Sequence, residues 1–185
     1  MKRLFVAVPV SDGIRNKIKP IAQALSEIGA DLKLVSLSHL HFTLTFIGDV
    51  NEKNIPEIEN KLARIAEKTK RFEISVKGLG VFPSLDRINV VWVGAESTML
   101  ASLMKTTGKE LDHIKKNDHE KDVPHLTLAR VKTSRNKKEL QEFVKKFENA
   151  EFGTMKIDKL ILFESELRRE GAIHKMVREF ELKYN

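Results

Sequence analysis

The chain has 185 residues, with 33 Lys and Arg, 26 Asp and Glu, six His and no Cys. A hydrophobic content of 41% beside 32% charged residues is typical of a folded globular domain, and no apolar run approaches the ~20 residues that span a bilayer. The absence of Cys excludes disulfides, thiol nucleophiles and Cys-based zinc sites. The net charge of +7 favours polyanionic partners such as RNA, although solvated lysine-rich helices would produce the same charge.

The first half of the chain predicts alternating strands and helices. The apolar run that stops at Pro9 is too short for a signal peptide, so we expect a first strand over Arg3–Pro9 and a cytoplasmic protein. Ser11 suits the N-cap of a helix that stops at Gly29, and Pro20 predicts a kink or break inside it. The pattern further predicts strands over 32–36 and 40–47, a helix over 54–68, strands over 72–79 and 88–93, and a loop between the last two that holds Gly80, Pro83 and Asp86.

The second half predicts a similar order of elements. A helix begins at Ser97 or Thr98 and fades into the charged stretch 115–122, and it is followed by a strand over 125–131, a helix over 136–147 and strands over 153–157, 159–163 and 173–180. Strand, helix and HFTL in the first half resemble strand, helix and HLTL in the second. This coarse repeat predicts two pseudo-symmetric lobes, each offering the polar face of one strand to a shared cleft.

The stretch LHFTLTFIGDV (40–50) alternates polar and apolar residues. A period of two places His41, Thr43 and Thr45 on one face of a strand and Phe46 with the apolar set on the other. The stretch PHLTLAR (124–130) repeats the pattern with His125 and the threonine two residues after it. Thr is also common on the surface of antiparallel strands for packing reasons, which leaves a purely structural role open.

Two histidines that face a common cleft would supply a general base and a general acid, since an unperturbed imidazole has a pKa of about 6.5. Cleavage of a phosphodiester needs this pair, because one group deprotonates the attacking oxygen while another protonates the leaving oxygen. Thr43 and Thr127 lie beside His41 and His125 and could donate hydrogen bonds to phosphate oxygens. This arrangement needs no metal and no other cofactor.

The motifs HFTLTFIG and HLTLAR resemble the paired HxTx signatures of the 2H phosphoesterase superfamily, and within it the RNA 2′,3′-cyclic phosphodiesterases, also known as 2′-5′ RNA ligases. The likeness runs over nearly the full length: RLFVAVPV resembles the opening strand, GLGVFPS and VVWVG the central section, and LILFESEL with Gly171 the closing segment. The resemblance implies a bilobed α+β fold with two antiparallel-rich sheets and flanking helices around a central cleft. Residues 1–185 would then form a single domain of two pseudo-repeat lobes.

The resemblance also implies an activity, namely metal-independent hydrolysis of the 2′,3′-cyclic phosphate at an RNA 3′ end to leave a 2′-phosphate. His41 would then donate a proton to the departing 3′ oxygen, His125 would activate water, and Thr43 and Thr127 would hold the phosphate. Some members of the family also join RNA through a 2′-5′ linkage. Without the analogy, the two motifs are too similar to show which histidine is the acid.

Two positions limit this transfer of roles. Arg130 matches the arginine of the family's HxTLxR pattern and could contact phosphate or RNA, but strict alternation places it on the face opposite His125 and Thr127, unless a bulge re-aims it. His174 stands near the place where the family usually has Tyr.

Two other functions are compatible with the sequence. The chain could be a non-catalytic RNA-binding module, or a 2H enzyme that acts on a small cyclic nucleotide or on 2′-5′ oligoadenylate.

The remaining histidines and the partners complete the predictions. His39 is expected in an exposed loop. The spacing of His113, His119 and His125 does not match a metal site, so no metal ligands are predicted. We expect RNA with 2′,3′-cyclic phosphate ends as partner and no membrane association, and nothing in the sequence demands more than a monomer.

Overall fold

The computed structural model describes residues 1–114, 123–167 and 172–184. The predicted end of a helix within 115–122, His119 and Gly171 therefore lie outside the described residues. The elements in chain order are β1 (Lys2–Pro9), α1 (Asp12–Glu27), β2 (Leu32–Leu34), β3 (His41–Val50), α2 (Ile55–Lys68), β4 (Phe72–Ser84), β5 (Arg87–Glu96), α3 (Thr98–Glu110), β6 (His125–Val131), α4 (Lys137–Lys146), β7 (Glu151–Ile157), β8 (Lys159–Leu167) and β9 (Ala172–Glu181). Short 3-10 turns precede β3 and α2, at Leu37–His39 and Glu52–Asn54.

The strands form two antiparallel sheets, one with the order β3-β1-β8-β9 and the other with the order β2-β6-β5-β4-β7. The order β3-β1-β8-β9 has a counterpart in β6-β5-β4-β7, and β2 is an additional edge strand beside β6. In each half the strand with the HxT motif therefore pairs with a strand from before the preceding helix. These pairs are β3 with β1 and β6 with β5. The expected α+β class with two antiparallel sheets and flanking helices is confirmed.

Three of the four helices in the described chain begin and end within about two residues of the predicted positions, whereas α3 ends at Glu110, before the charged stretch 115–122 into which it was predicted to extend. The Ser11 hydroxyl accepts a hydrogen bond from the amide of Ile14, and Gly29 follows the helix with φ +76°, a conformation that glycine adopts without strain. Of the kink or break predicted at Pro20, the break does not occur, because α1 continues through Pro20 to Glu27. Apolar residues buried before and after the proline, Ile14, Ile18 and Leu25, anchor both parts of the helix in the core.

The predicted loop around residue 80 is also wrong. Gly80 and Pro83 lie within β4, which pairs with β5 until Ser84, so that only the turn at Leu85 and Asp86 joins the two strands. The sequence suggested a loop because glycine and proline disfavour strands. Here the indole ring of Trp92 covers Gly80, where a Cβ atom would lie 2.2 Å from Trp92 Cζ2.

The core lies between the helices and one face of each sheet. Helix α2 buries Ile58, Leu62 and Ile65 on its predicted face. Residues Leu4 to Val8 of β1 are all buried, which means that both faces of this central strand are covered. No helix of the described chain combines the length and apolar character needed to cross a membrane.

Candidate active site

The first histidine of the site begins β3. His41 lies opposite Pro9 of β1 and packs its ring on Phe5, with 5.1 Å between ring centroids. Its Nδ1 lies 2.7 Å from the backbone carbonyl oxygen of His39. The ring of His174 on β9 meets His41 edge-on, at 5.4 Å and an interplanar angle of 88°.

The second histidine begins β6 in the same manner. His125 lies opposite Gly94 of β5, and its Nδ1 is 2.7 Å from the carbonyl oxygen of Val123. Phe82 packs perpendicular to its ring at 4.9 Å, and Trp92 lies 6.2 Å away. Both imidazoles are thus held between aromatic rings and a carbonyl two residues upstream.

This carbonyl contact fixes the tautomer of both imidazoles. A carbonyl oxygen only accepts hydrogen bonds, so Nδ1 of His41 and of His125 must carry the proton and donate it. In the neutral ring Nε2 then holds the free lone pair. Each histidine therefore offers Nε2 to a ligand, either as a base or, when protonated, as an acid.

Burial keeps both imidazoles uncharged near neutral pH. It lowers the pKa of His41 to about 4, against the opposing effect of the hydrogen bond to the His39 carbonyl, and the charges of His174, His39 and His125 act in the same direction as burial. Burial also lowers the pKa of His125, and the positive charge of Arg130 contributes. The charge of His125 acts on His41 because strands β3 and β6 are in contact. We call the side of each sheet that carries these histidines its cleft face.

The threonines of both motifs lie on the cleft faces. Thr43 is opposite Ala7, and Thr127 is opposite Trp92. Both are half-buried, and within residues 1–114, 123–167 and 172–184 neither hydroxyl makes a hydrogen bond. A ligand in the cleft would therefore find a hydroxyl donor two residues beyond each histidine.

A β-bulge interrupts the alternation of both motif strands. In β3 the partners of Val6 and Ala7 are Thr45 and Thr43, so Leu44 is the extra residue, and Thr45 turns into the core with 1% exposure. The prediction that Thr45 shares the polar face is wrong. Phe46 takes the outer position instead, 49% exposed and 5.7 Å from Phe5.

The bulge in β6 has the same place in its motif. The partners of Val91 and Trp92 are Ala129 and Thr127, so Leu128 is the extra residue. Ala129 is buried and Arg130 is exposed, and the charge of Arg130 reaches His125. Strict alternation placed Arg130 on the opposite face; the bulge returns it to the cleft face, where it occupies the position equivalent to Phe46.

The structure adds residues that the motifs did not reveal. His174 joins the ring cluster around His41, 4.9 Å from Phe5 and 5.7 Å from His39, and its buried Nδ1 has no hydrogen-bond partner in the described chain. Burial, followed by the charge of His39, lowers the pKa of His174. The departure from the family's tyrosine was the only sequence signal at this position. His39 itself is exposed, in the turn Leu37–His39.

No cluster of three or more metal-ligating side chains occurs in the described parts of the chain. His113, one of the three histidines spaced by six, instead lies 2.8 Å from a carboxylate oxygen of Glu57.

Two antiparallel sheets that each present a histidine and a threonine on a cleft face define a paired-histidine α+β protein. The chain belongs to the LigT-like phosphoesterase family, whose model matches residues 8–92 and 95–174.

Relatives and solved structures agree with this assignment. The chain is 36% identical over 181 residues to the RNA 2′,3′-cyclic phosphodiesterase of Methanothermobacter thermautotrophicus, covering 97% of this chain and 98% of that one. It is 38% identical over 183 residues to the enzyme of the same name from Archaeoglobus fulgidus, covering 97% and 99%. The fold is similar to the crystal structure of a Thermus thermophilus protein, with a TM-score of 0.79, 26% identity and 97% coverage of both chains. It is also similar to E. coli LigT complexed with 3′-AMP, with a TM-score of 0.77, 20% identity and 98% coverage of both.

Proposed function

We propose that the chain hydrolyses the 2′,3′-cyclic phosphate at the 3′ end of RNA to a 2′-phosphomonoester, without a metal ion, by acid–base catalysis between His41 and His125. The observation that carries this proposal is the matched pair of imidazoles, each anchored through Nδ1 to a main-chain carbonyl and each followed by a threonine whose hydroxyl makes no hydrogen bond to the described residues. A surface that only binds phosphate needs no such pair, because Lys or Arg holds phosphate without titrating near neutrality. The names of the relatives supply the RNA substrate.

The reaction then follows from the groups present. Water attacks phosphorus and loses a proton to Nε2 of His125, while the bond from phosphorus to the 3′ oxygen breaks and that oxygen takes a proton from Nε2 of His41. Thr43 and Thr127 donate hydrogen bonds to the non-bridging oxygens, where charge increases in the transition state. After the reaction His125 loses its proton to solvent, and His41 takes up a proton from solvent.

The assignment of acid and base follows the resemblance to the family and is supported by the charges around each ring. Arg130 disfavours protonation of His125, which suits a base. The phosphate monoanion offsets part of the desolvation that lowers the pKa of His41, so that a proton on His41 is stabilised when substrate is bound. Phe46 offers an exposed ring on which the terminal base can stack.

The two halves would act as one unit. Residues 1–185 form a single domain in this proposal, in which the β1–β3 half supplies the acid and the β5–β6 half supplies the base. Support comes from the matched strand registers, Pro9 opposite His41 and Gly94 opposite His125.

A direct test is incubation of an RNA ending in a 2′,3′-cyclic phosphate with the protein in excess EDTA. We expect a 2′-phosphate product, lost in both His41→Ala and His125→Ala. No reaction with RNA still bound would favour the binding module, and turnover of small cyclic nucleotides or 2′-5′ oligoadenylate alone would favour the other 2H enzymes.

The acid is identified by changing the leaving group. With sulfur in place of the bridging 3′ oxygen, departure no longer needs a proton donor. His41→Ala should then recover most of its activity, while His125→Ala should remain inactive. The opposite pattern would reverse the two roles.

A further inference from the structure

Two cations face each other on the cleft side of the second sheet. Lys33 of β2 lies directly opposite Arg130 of β6, and both side chains are exposed. Like charges in directly opposite positions of antiparallel strands are destabilising. No neighbouring group relieves this repulsion, because within the three described ranges neither head group has a hydrogen bond or an ion pair. The nearby carboxylate of Asp31 lies 3.9 Å from Lys132 instead.

The pair lies on the same face as the candidate catalytic groups. The bulge at Leu128 directs Arg130 to the side of Thr127, and Lys33 follows because directly opposed residues share a face. At 3.3 Å per residue, Arg130 is about 10 Å along β6 from Thr127. This span is of the order of one or two nucleotide steps of an extended RNA strand.

We propose that Lys33 and Arg130 together bind the phosphodiester on the 5′ side of the terminal nucleoside, so that the cleft selects RNA ends over mononucleotides. The inference rests on the proposed function and adds the two residues that distinguish an RNA end from a mononucleotide. Arg130 supplies a planar set of donors and Lys33 a mobile point charge, and an anion between them converts their repulsion into attraction. Because Lys33 lies on the short edge strand β2, its head group is accessible to an RNA strand longer than one nucleotide.

The test compares two substrates that differ only in the second phosphate. One is adenosine 2′,3′-cyclic phosphate, and the other is the diadenosine dinucleotide that ends in a 2′,3′-cyclic phosphate. We expect the ratio of kcat/KM, dinucleotide to mononucleotide, to fall about fivefold in Lys33→Gln, the size of one exposed ion pair. The salt dependence of log kcat/KM for the dinucleotide should become shallower by about 0.7, as for one lost phosphate contact on a single strand.

Two variants separate this role from a general effect of charge. Lys68→Gln removes the same charge from an exposed position at the end of α2 and should keep the wild-type ratio. Lys33→Arg should keep most of the preference for the dinucleotide. The melting temperature of Lys33→Gln should equal or exceed that of the wild type, because a repulsion is removed.

The outcomes are distinct. A wild-type enzyme that hydrolyses both substrates, with the same ratio in Lys33→Gln, would overturn the second phosphate site and leave the proposed function standing. Equal ratios in Lys33→Gln and Lys68→Gln, both below the wild type, would also overturn it, since total charge would then explain the loss. Absence of hydrolysis of either substrate would refute the proposed function and this site with it.

Discussion

Acid should destabilise this fold through His41. Burial lowers its pKa to about 4, whereas in the unfolded chain the imidazole returns to about 6.5. Between these values the unfolded chain binds more protons than the folded one, so stability is complete above the unfolded pKa and is lost as the pH falls towards the folded pKa. With about 1.4 kcal/mol for each pKa unit, the interval corresponds to about 3 kcal/mol of unfolding free energy.

The prediction is tested by measuring the free energy of unfolding in urea at a series of pH values from 7 down to 4. The variants His41→Leu and His41→Asn cannot titrate at this position, so both should lose about 3 kcal/mol less than the wild type over the interval. Two replacements of unlike polarity separate the proton effect from any change in packing, which shifts stability equally at every pH. Parallel curves for the wild type and both variants would refute the argument that the half-buried ring of His41 is held neutral in the folded state.

Three further outcomes are expected. Since burial lowers the pKa of both His41 and His125, kcat/KM should have its optimum below pH 6.5 and fall about tenfold per pH unit on the alkaline side; an optimum above pH 7.5 would contradict this. Gly80→Ala should lower kcat/KM and cost about 1–3 kcal/mol of stability because the new Cβ collides with the Trp92 ring, whereas Gly13→Ala, whose Cβ would meet no described residue within 4 Å, should not destabilise the protein in urea titrations. Phe46→Ala should raise KM for RNA ends about tenfold or more with a smaller change in kcat, as loss of a stacking contact requires, and an unchanged KM would exclude that contact.

The sequence was sufficient for elements with a clear period and local stop signals. Helix α1 was predictable from Ser11 and Gly29, and α2 from its apolar face, because caps and amphipathic spacing act within a few residues. The length of β4 was not predictable, since Gly80 belongs to a strand only because Trp92 from β5 fills the space beside it. That contact is visible only after the strands are paired.

The same division holds for the candidate site. The pattern of alternating residues was enough to place His41 and Thr43 on one face, since period two holds up to the bulge. The residues just beyond the bulge at Leu44 change side, which is why Thr45 is buried and Phe46 exposed. A bulge depends on how two strands pair, and no single strand reports it. His174, the histidine that packs against His41, comes from β9 near the end of the sequence and is not part of a recognisable motif.

The carbonyl groups that hold the two imidazoles have a consequence for mutational tolerance. In many acid–base sites the residue that orients a histidine is another side chain, and one codon change removes it. Here the acceptors are main-chain oxygens of residues 39 and 123, which all twenty amino acids possess. Each imidazole therefore depends on the path of the chain, and its orientation can survive any replacement of its neighbour that preserves that path.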